Sequence, residues 1–156
     1  MPTTTLPLGR LEPVPGAPSI LEASVLELKS DDISRLRETL KSTLDSADEQ
    51  LARQFWDGAA VETLVRQRAW AVEQLLLLAW NNLIGDRPSM ALVAVGGFGR
   101  GELHPHSDVD LMILLESEAT ESPAKESIEQ FITLLWDAGL YLGHSVRTIE
   151  QCHEEC

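Results

Sequence analysis

The 156-residue chain has 12 basic and 25 acidic residues and a formal net charge of -13, which opposes a sequence-independent grip on a phosphodiester backbone and argues against a nucleic-acid partner. Hydrophobic residues make up 44% and charged residues 24%, an ordinary soluble composition that suggests neither disorder nor a membrane class. The length suits one domain with its own core, and an acidic surface still admits a nucleotide where a divalent cation carries the phosphate charge.

Residues 1–19 include Pro2, Pro7, Pro13, Pro15 and Pro18 with few apolar groups, which predicts a flexible lead that is not a signal peptide. Asp31 or Asp32 is a good N-cap, and Ile33, Leu36, Leu40 and Leu44 then recur at helical spacing to about Leu51. Gly58 interrupts the pattern. Val61, Leu64, Val65, Arg68, Val72, Leu75, Leu76, Ala79 and Leu83 trace a second helical stripe that ends at Gly85. Its stretch 75–80 is apolar all round, which predicts the central packing helix, and it is too short to cross a bilayer. Residues 20–85 thus form an N-terminal helical segment. Trp56, Trp70, Trp80 and Trp136 fall at helical positions and read as core or interface residues.

Residues 86–156 change character. A turn at 86–89 leads to an apolar run at 90–95, expected to be a buried strand, followed by a glycine-rich loop and a second strand at 109–115. Beyond Pro123 a helix is predicted over about 124–138, closed by Gly139. A third strand is expected around 140–147, and Thr148 with Glu150 begins another helix. The order implies an α+β (α/β) fold with a small mixed sheet, flanking helices and N-terminal helices before it.

Asp108 and Asp110 lie two apart in the predicted second strand, so both carboxylates face the same side. Such a pair repels unless a cation sits between, and hard oxygen ligands suit Mg²⁺, with Mn²⁺ as the alternative. Gly96, Gly97, Gly99 and Gly101 precede the pair; without Cβ atoms, their backbone N–H groups can approach a polyphosphate, and Arg100 adds a charged clamp. Either half alone is ordinary, a solvated strand edge or a plain turn. The functional reading rests on the combination. His104 and His106 read as loop residues rather than metal ligands, since Mg²⁺ prefers oxygen. Cys152, His153 and Cys156 have a spacing that could bind zinc with His144, but they sit at the terminus and read as free residues of a reducing, cytoplasmic setting.

The run Gly96-Gly97-Phe98-Gly99-Arg100-Gly101-Glu102-Leu103-His104-Pro105-His106-Ser107-Asp108-Val109-Asp110-Leu111 closely resembles the bacterial bifunctional uridylyltransferase and uridylyl-removing enzymes of the polymerase-β-type nucleotidyltransferase superfamily. The run Gly143-His144-Ser145-Val146-Arg147-Thr148 is similar to the same family. The resemblance implies transfer of UMP from UTP to a tyrosine of the PII nitrogen-regulatory protein, with Asp108 and Asp110 as catalytic metal ligands. The nucleotide would meet Gly96, Gly97, Gly99, Arg100 and Ser107. A glutamine synthetase adenylyltransferase resembles the loop less well, and a non-catalytic nucleotide-binding module is the reading outside the enzymes. The superfamily's third carboxylate, and the family's HD-type hydrolase and ACT domains, are not found in these residues. The chain is therefore expected to be an N-terminal fragment with little activity alone.

Overall fold

The computed structural model describes residues 14–17, 21, 25 and 27–155. Its described elements run α1 (Ile33–Trp56), α2 (Val61–Leu83), β1 (Met90–Ala94), α3 (Gly96–Gly99), β2 (Val109–Leu115), α4 (Glu118–Asp137), β3 (Leu142–Thr148) and α5 (Ile149–Glu154).

Helix α1 starts where the sequence offers a cap: Asp32 Oδ1 accepts the N–H groups of Ser34 at 2.9 Å and Arg35 at 3.3 Å, satisfying donors that the first turn leaves without partners. Leu36, Leu40, Leu44, Ala47 and Leu51 form its buried stripe, and the helix runs one turn beyond the expected end. In α2 the stretch that is apolar all round is covered on more than one side, with Leu75, Leu76, Leu78 and Ala79 all buried. Its neighbours are α1 and α4, which also touch each other, so three helices form one layer.

The sheet order is β1-β2-β3. β1 pairs antiparallel to β2, from Met90↔Leu115 to Ala94↔Leu111. β3 pairs parallel to β2, from Val109↔Leu142 to Leu115↔Thr148, and α4 is the crossover that a parallel pair requires. Along β2, Val109, Leu111, Ile113 and Leu115 are buried and join the helices in one core with Leu36, Leu40, Val72, Leu75, Leu76 and Phe131. Asp110, Met112 and Leu114 point to the other, half-buried face. This period of two places a polar group on a strand without burying it in the core.

Several expectations need correction. β1 is not a buried strand: only Met90 is buried, because the strand lies at the edge of the described sheet. Helix α4 begins at Glu118, ahead of the proline, and carries Pro123 within it. Pro123 is the sixth residue of the helix, in its exposed second turn, so it removes one ladder hydrogen bond, while Glu118 and Glu121 favour the positive helix end. β3 begins at Leu142, two residues later than expected. Of the tryptophans expected in core or interface, Trp70 is buried, while Trp56 is 82% and Trp136 50% exposed, which leaves only the interface alternative for these two.

The expected flexible lead lies mostly outside the described residues. The described piece, 14–17, is packed: Ala17 joins Trp70 and Ala71 of α2, and Gln67 Nε2 donates to the Pro15 carbonyl at 2.6 Å. Helix α5 opens on a capping box in which Thr148 Oγ1 accepts from Gln151 N–H at 3.2 Å and Gln151 Oε1 from Thr148 N–H at 2.9 Å. No helix among the described residues is long and apolar enough to cross a membrane.

Candidate active site

Asp110 lies on the central strand, and its neighbours are glycines on both sides. On one side β1 ends with Val95 N–H donating to the Asp110 carbonyl at 3.0 Å, and the chain turns at once through Gly96, whose φ is +62. A Cβ on Gly96 would stand 2.9 Å from Asp110 Oδ2. On the other side Gly143 of β3 is the register partner of Asp110, and a Cβ there would stand 2.5 Å from Oδ1. The carboxylate therefore occupies space that two missing side chains leave open.

Asp108 is exposed and immediately precedes β2, so the pair straddles the strand start where both members were expected within the strand. The two-residue spacing of an extended chain still turns both toward the same side. Among the described residues, neither carboxylate has a hydrogen bond or ion pair to another side chain. Two hard oxygen donors left open in a glycine-cleared space suit a divalent cation bound with water and phosphate oxygens. No group of three or more His, Cys, Asp or Glu side chains gathers around a point among the described residues.

The glycine segment takes a short helical form, which the sequence reading treated as loop. Val95 is the N-cap and Phe98 is buried at 4% exposure, pinning the turn to the core. Gly96 is exposed and Gly97 half-buried, and the first-turn N–H groups lack acceptors within their own helix. A Cβ on Gly97 would lie 3.7 Å from Arg100 Nη2, so the guanidinium folds back over the turn. For Gly99 the structure supplies a packing reason: a Cβ would stand 2.9 Å from the Ala94 carbonyl oxygen.

Ser107 is half-buried beside the pair, and its N–H donates to the His104 carbonyl at 3.1 Å. Pro105 and His106 are the middle residues of that turn, and His106 has φ +63, the combination of a type II turn. Two helix residues hold the turn. Leu103 N–H donates to the Val65 carbonyl at 3.2 Å, and Arg68 Nη1 donates to the His104 carbonyl at 3.3 Å. Arg68 also grips Asp48 through Nε at 2.8 Å and Nη2 at 3.3 Å.

Among the described residues the histidine and cysteine alternatives are not brought together. The His144 ring stacks edge-on against Trp136 at 5.5 Å, Cys152 Sγ lies 4.0 Å from Met112 Sδ, and Cys156 is outside the described residues. The sequence reading missed the spatial role of Gly143, although a glycine inside a predicted strand signals close approach. It also missed Arg68 and Asp48, whose signal was an arginine in an apolar helical stripe.

A family model described as "Nucleotidyltransferase domain" matches residues 83–152. Proteins named "Bifunctional uridylyltransferase/uridylyl-removing enzyme" are similar over 131 residues, 83% of this chain: one from Pseudomonas putida (strain W619) at 47% identity and one from Pseudomonas aeruginosa (strain LESB58) at 49%. A third, from Pseudomonas entomophila (strain L48), is 44% identical over the same length. The chain spans 14% of the length of each of these relatives. No solved structure matches it.

Proposed function

The chain belongs to the nucleotidyltransferase-domain family, and from that premise we propose that it forms the UMP-transferring part of a uridylyltransferase acting on the PII regulatory protein. The proposed substrates are UTP and a tyrosine hydroxyl of PII, with pyrophosphate as the leaving group. The observation that carries the reading is the Asp110 carboxylate held between Gly96 and Gly143, with Asp108 two residues before it and, among the described residues, no cationic side chain paired to either.

In the mechanism we propose, Asp108 and Asp110 would hold Mg²⁺ or Mn²⁺, which supplies charge neutralisation and Lewis acidity at the reacting phosphate. The other steps fall to the chain itself. The backbone donors of the Gly96–Gly97 turn orient the phosphate chain, as bare N–H groups at a tight glycine turn do for anions. Arg100, folded over Gly97, places a positive charge beside the departing pyrophosphate. Transfer of a phosphoryl-type group asks mainly for positioning and charge, and a two-carboxylate strand start opposite a glycine turn provides both. The cytoplasm is the proposed setting, where the free thiol of Cys152 is stable.

The test is incubation with labelled UTP or labelled ATP, Mg²⁺ and purified PII, with this chain in its full-length context, since little transfer is expected from it alone. Label from UTP on PII, lost in the Asp110→Asn variant, is expected. Transfer from ATP instead would assign an adenylyltransferase. Nucleotide binding without transfer would leave a non-catalytic module.

A further inference from the structure

We propose that Arg68 is a positioning residue for the Asp108–Asp110 site, acting through the backbone of the His104–Ser107 turn; this rests on the nucleotidyl-transfer reading above. Arg68 is 7% exposed and occupies a position in the α2 stripe where the periodicity calls for an apolar side chain. Burying a guanidinium costs desolvation, which Asp48, its side chain still 42% exposed, offsets only in part, and a hydrophobic residue of similar volume commonly serves stability as well or better. A reason for an arginine at this position lies in where its three donor contacts go. Two hold Asp48 of α1. The third, Nη1, reaches away from the ion pair to the His104 carbonyl.

That carbonyl also accepts the Ser107 N–H that closes the turn, so the same oxygen joins the helix to the turn and the turn to itself. Leu103, one residue earlier and 1% exposed, is bonded to Val65, one helical turn before Arg68 on the same helix. Successive residues of the loop are therefore fixed to successive turns of α2. Asp108 follows Ser107 directly and lies outside the β2 ladder, so its placement depends on this turn more than on strand pairing. His106 in the left-handed region makes the turn the part of the loop that most needs outside support. Asp48 orients the guanidinium plane, and Arg68 transmits that orientation to the hairpin.

The experiment compares Arg68→Met, Arg68→Lys and Asp48→Asn in the full chain, with three readouts. The first is kcat and KM for nucleotidyl transfer at a temperature where each variant is folded. The second is Mn²⁺ titration by electron paramagnetic resonance, and the third is amide hydrogen exchange at Ser107. Arg68→Met is expected to lower kcat on the order of 10²-fold, the usual cost of a small misplacement of a reacting group, with KM for UTP little changed. It should also weaken Mn²⁺ binding and speed exchange at Ser107. Arg68→Lys, which keeps one donor for His104, should restore part of all three. Asp48→Asn, which loosens the grip on the guanidinium without removing it, should shift all three readouts in the same direction as Arg68→Met but by less. If Arg68→Met is folded and shows unaltered kcat, Mn²⁺ affinity and Ser107 exchange, Arg68 is a structural residue only and the proposal fails. If the unaltered protein neither binds Mg²⁺–UTP nor, in its full-length context, transfers nucleotide, the functional reading fails, and Ser107 exchange alone still decides the role of Arg68.

Discussion

Gly143 and Asp110 face each other across the parallel β2–β3 pair, and a Cβ at position 143 would stand 2.5 Å from Asp110 Oδ1. No real Cβ contact is that short, so Gly143→Ala must displace the carboxylate. A glycine inside a strand weakens it, so the alanine variant is expected to fold with an unchanged or slightly raised thermal midpoint while losing Mn²⁺ affinity and transfer. Nucleotide transfer at the original rate, in a folded Gly143→Ala protein, would show that the Asp110 carboxylate does not need the place it occupies.

The carboxylates themselves give a second prediction. Asp108→Asn and Asp110→Asn should each reduce metal-dependent transfer by roughly 10²-fold or more, as loss of one element of a preorganised charge site does. Neither side chain has a side-chain partner among the described residues, so removing one charge should leave far-ultraviolet circular dichroism and the thermal midpoint nearly unchanged. A variant that keeps full Mg²⁺-dependent transfer would remove its aspartate from the site.

His106 offers a test of the turn by stability. At φ +63 a β-branched side chain is strained, while glycine is at ease. His106→Val should lower stability by about 1–3 kcal/mol, and His106→Gly should be close to neutral. Thermal or urea unfolding of the two variants checks the order. Equal stabilities would mean that the turn adapts to its side chain, and the support from Arg68 would then matter less.

What could be read from the sequence follows from how local each signal is. The helices were legible because Leu36, Leu40 and Leu44, and likewise Val65, Val72 and Leu76, repeat at a period that any packed helix must have. The candidate site was legible as a motif, since Gly96, Gly97, Asp108 and Asp110 fall within one short run. The space around Asp110 was not, because Gly143 joins it only through the β2–β3 register, a long-range pairing no local pattern encodes. The edge position of β1 was hidden for the same reason: a run such as 90–95 reads alike whether one or both faces are covered. Pro123 misled because a proline usually marks a helix boundary, whereas here the helix starts five residues before it and carries it within an exposed second turn.

Gly97 and Gly99 separate binding from packing, two roles that a glycine-rich run superimposes. A Cβ at Gly99 would meet the Ala94 carbonyl oxygen at 2.9 Å, a contact with strand backbone that cannot swing aside. Gly99→Ala should therefore push α3 off β1, lowering the thermal midpoint and, with it, UTP affinity. At Gly97 the nearest atoms to a Cβ are the Glu102 carbonyl oxygen at 3.4 Å and the mobile Arg100 Nη2 at 3.7 Å, and its φ lies outside the left-handed region. The fold thus has room for a side chain there. A phosphate approaching the turn does not, because a branched group would stand over the N–H groups that face it. Gly97→Val is expected to weaken Mg²⁺–UTP binding by about tenfold or more, the loss of a single anion contact at 1.4 kcal/mol per tenfold, with a small change in midpoint. Calorimetric UTP titration beside thermal unfolding reads both quantities on the same preparation. If Gly97→Val binds UTP normally while Gly99→Ala is destabilised, the glycine run serves only to turn the chain against β1, and the phosphate site must be sought elsewhere.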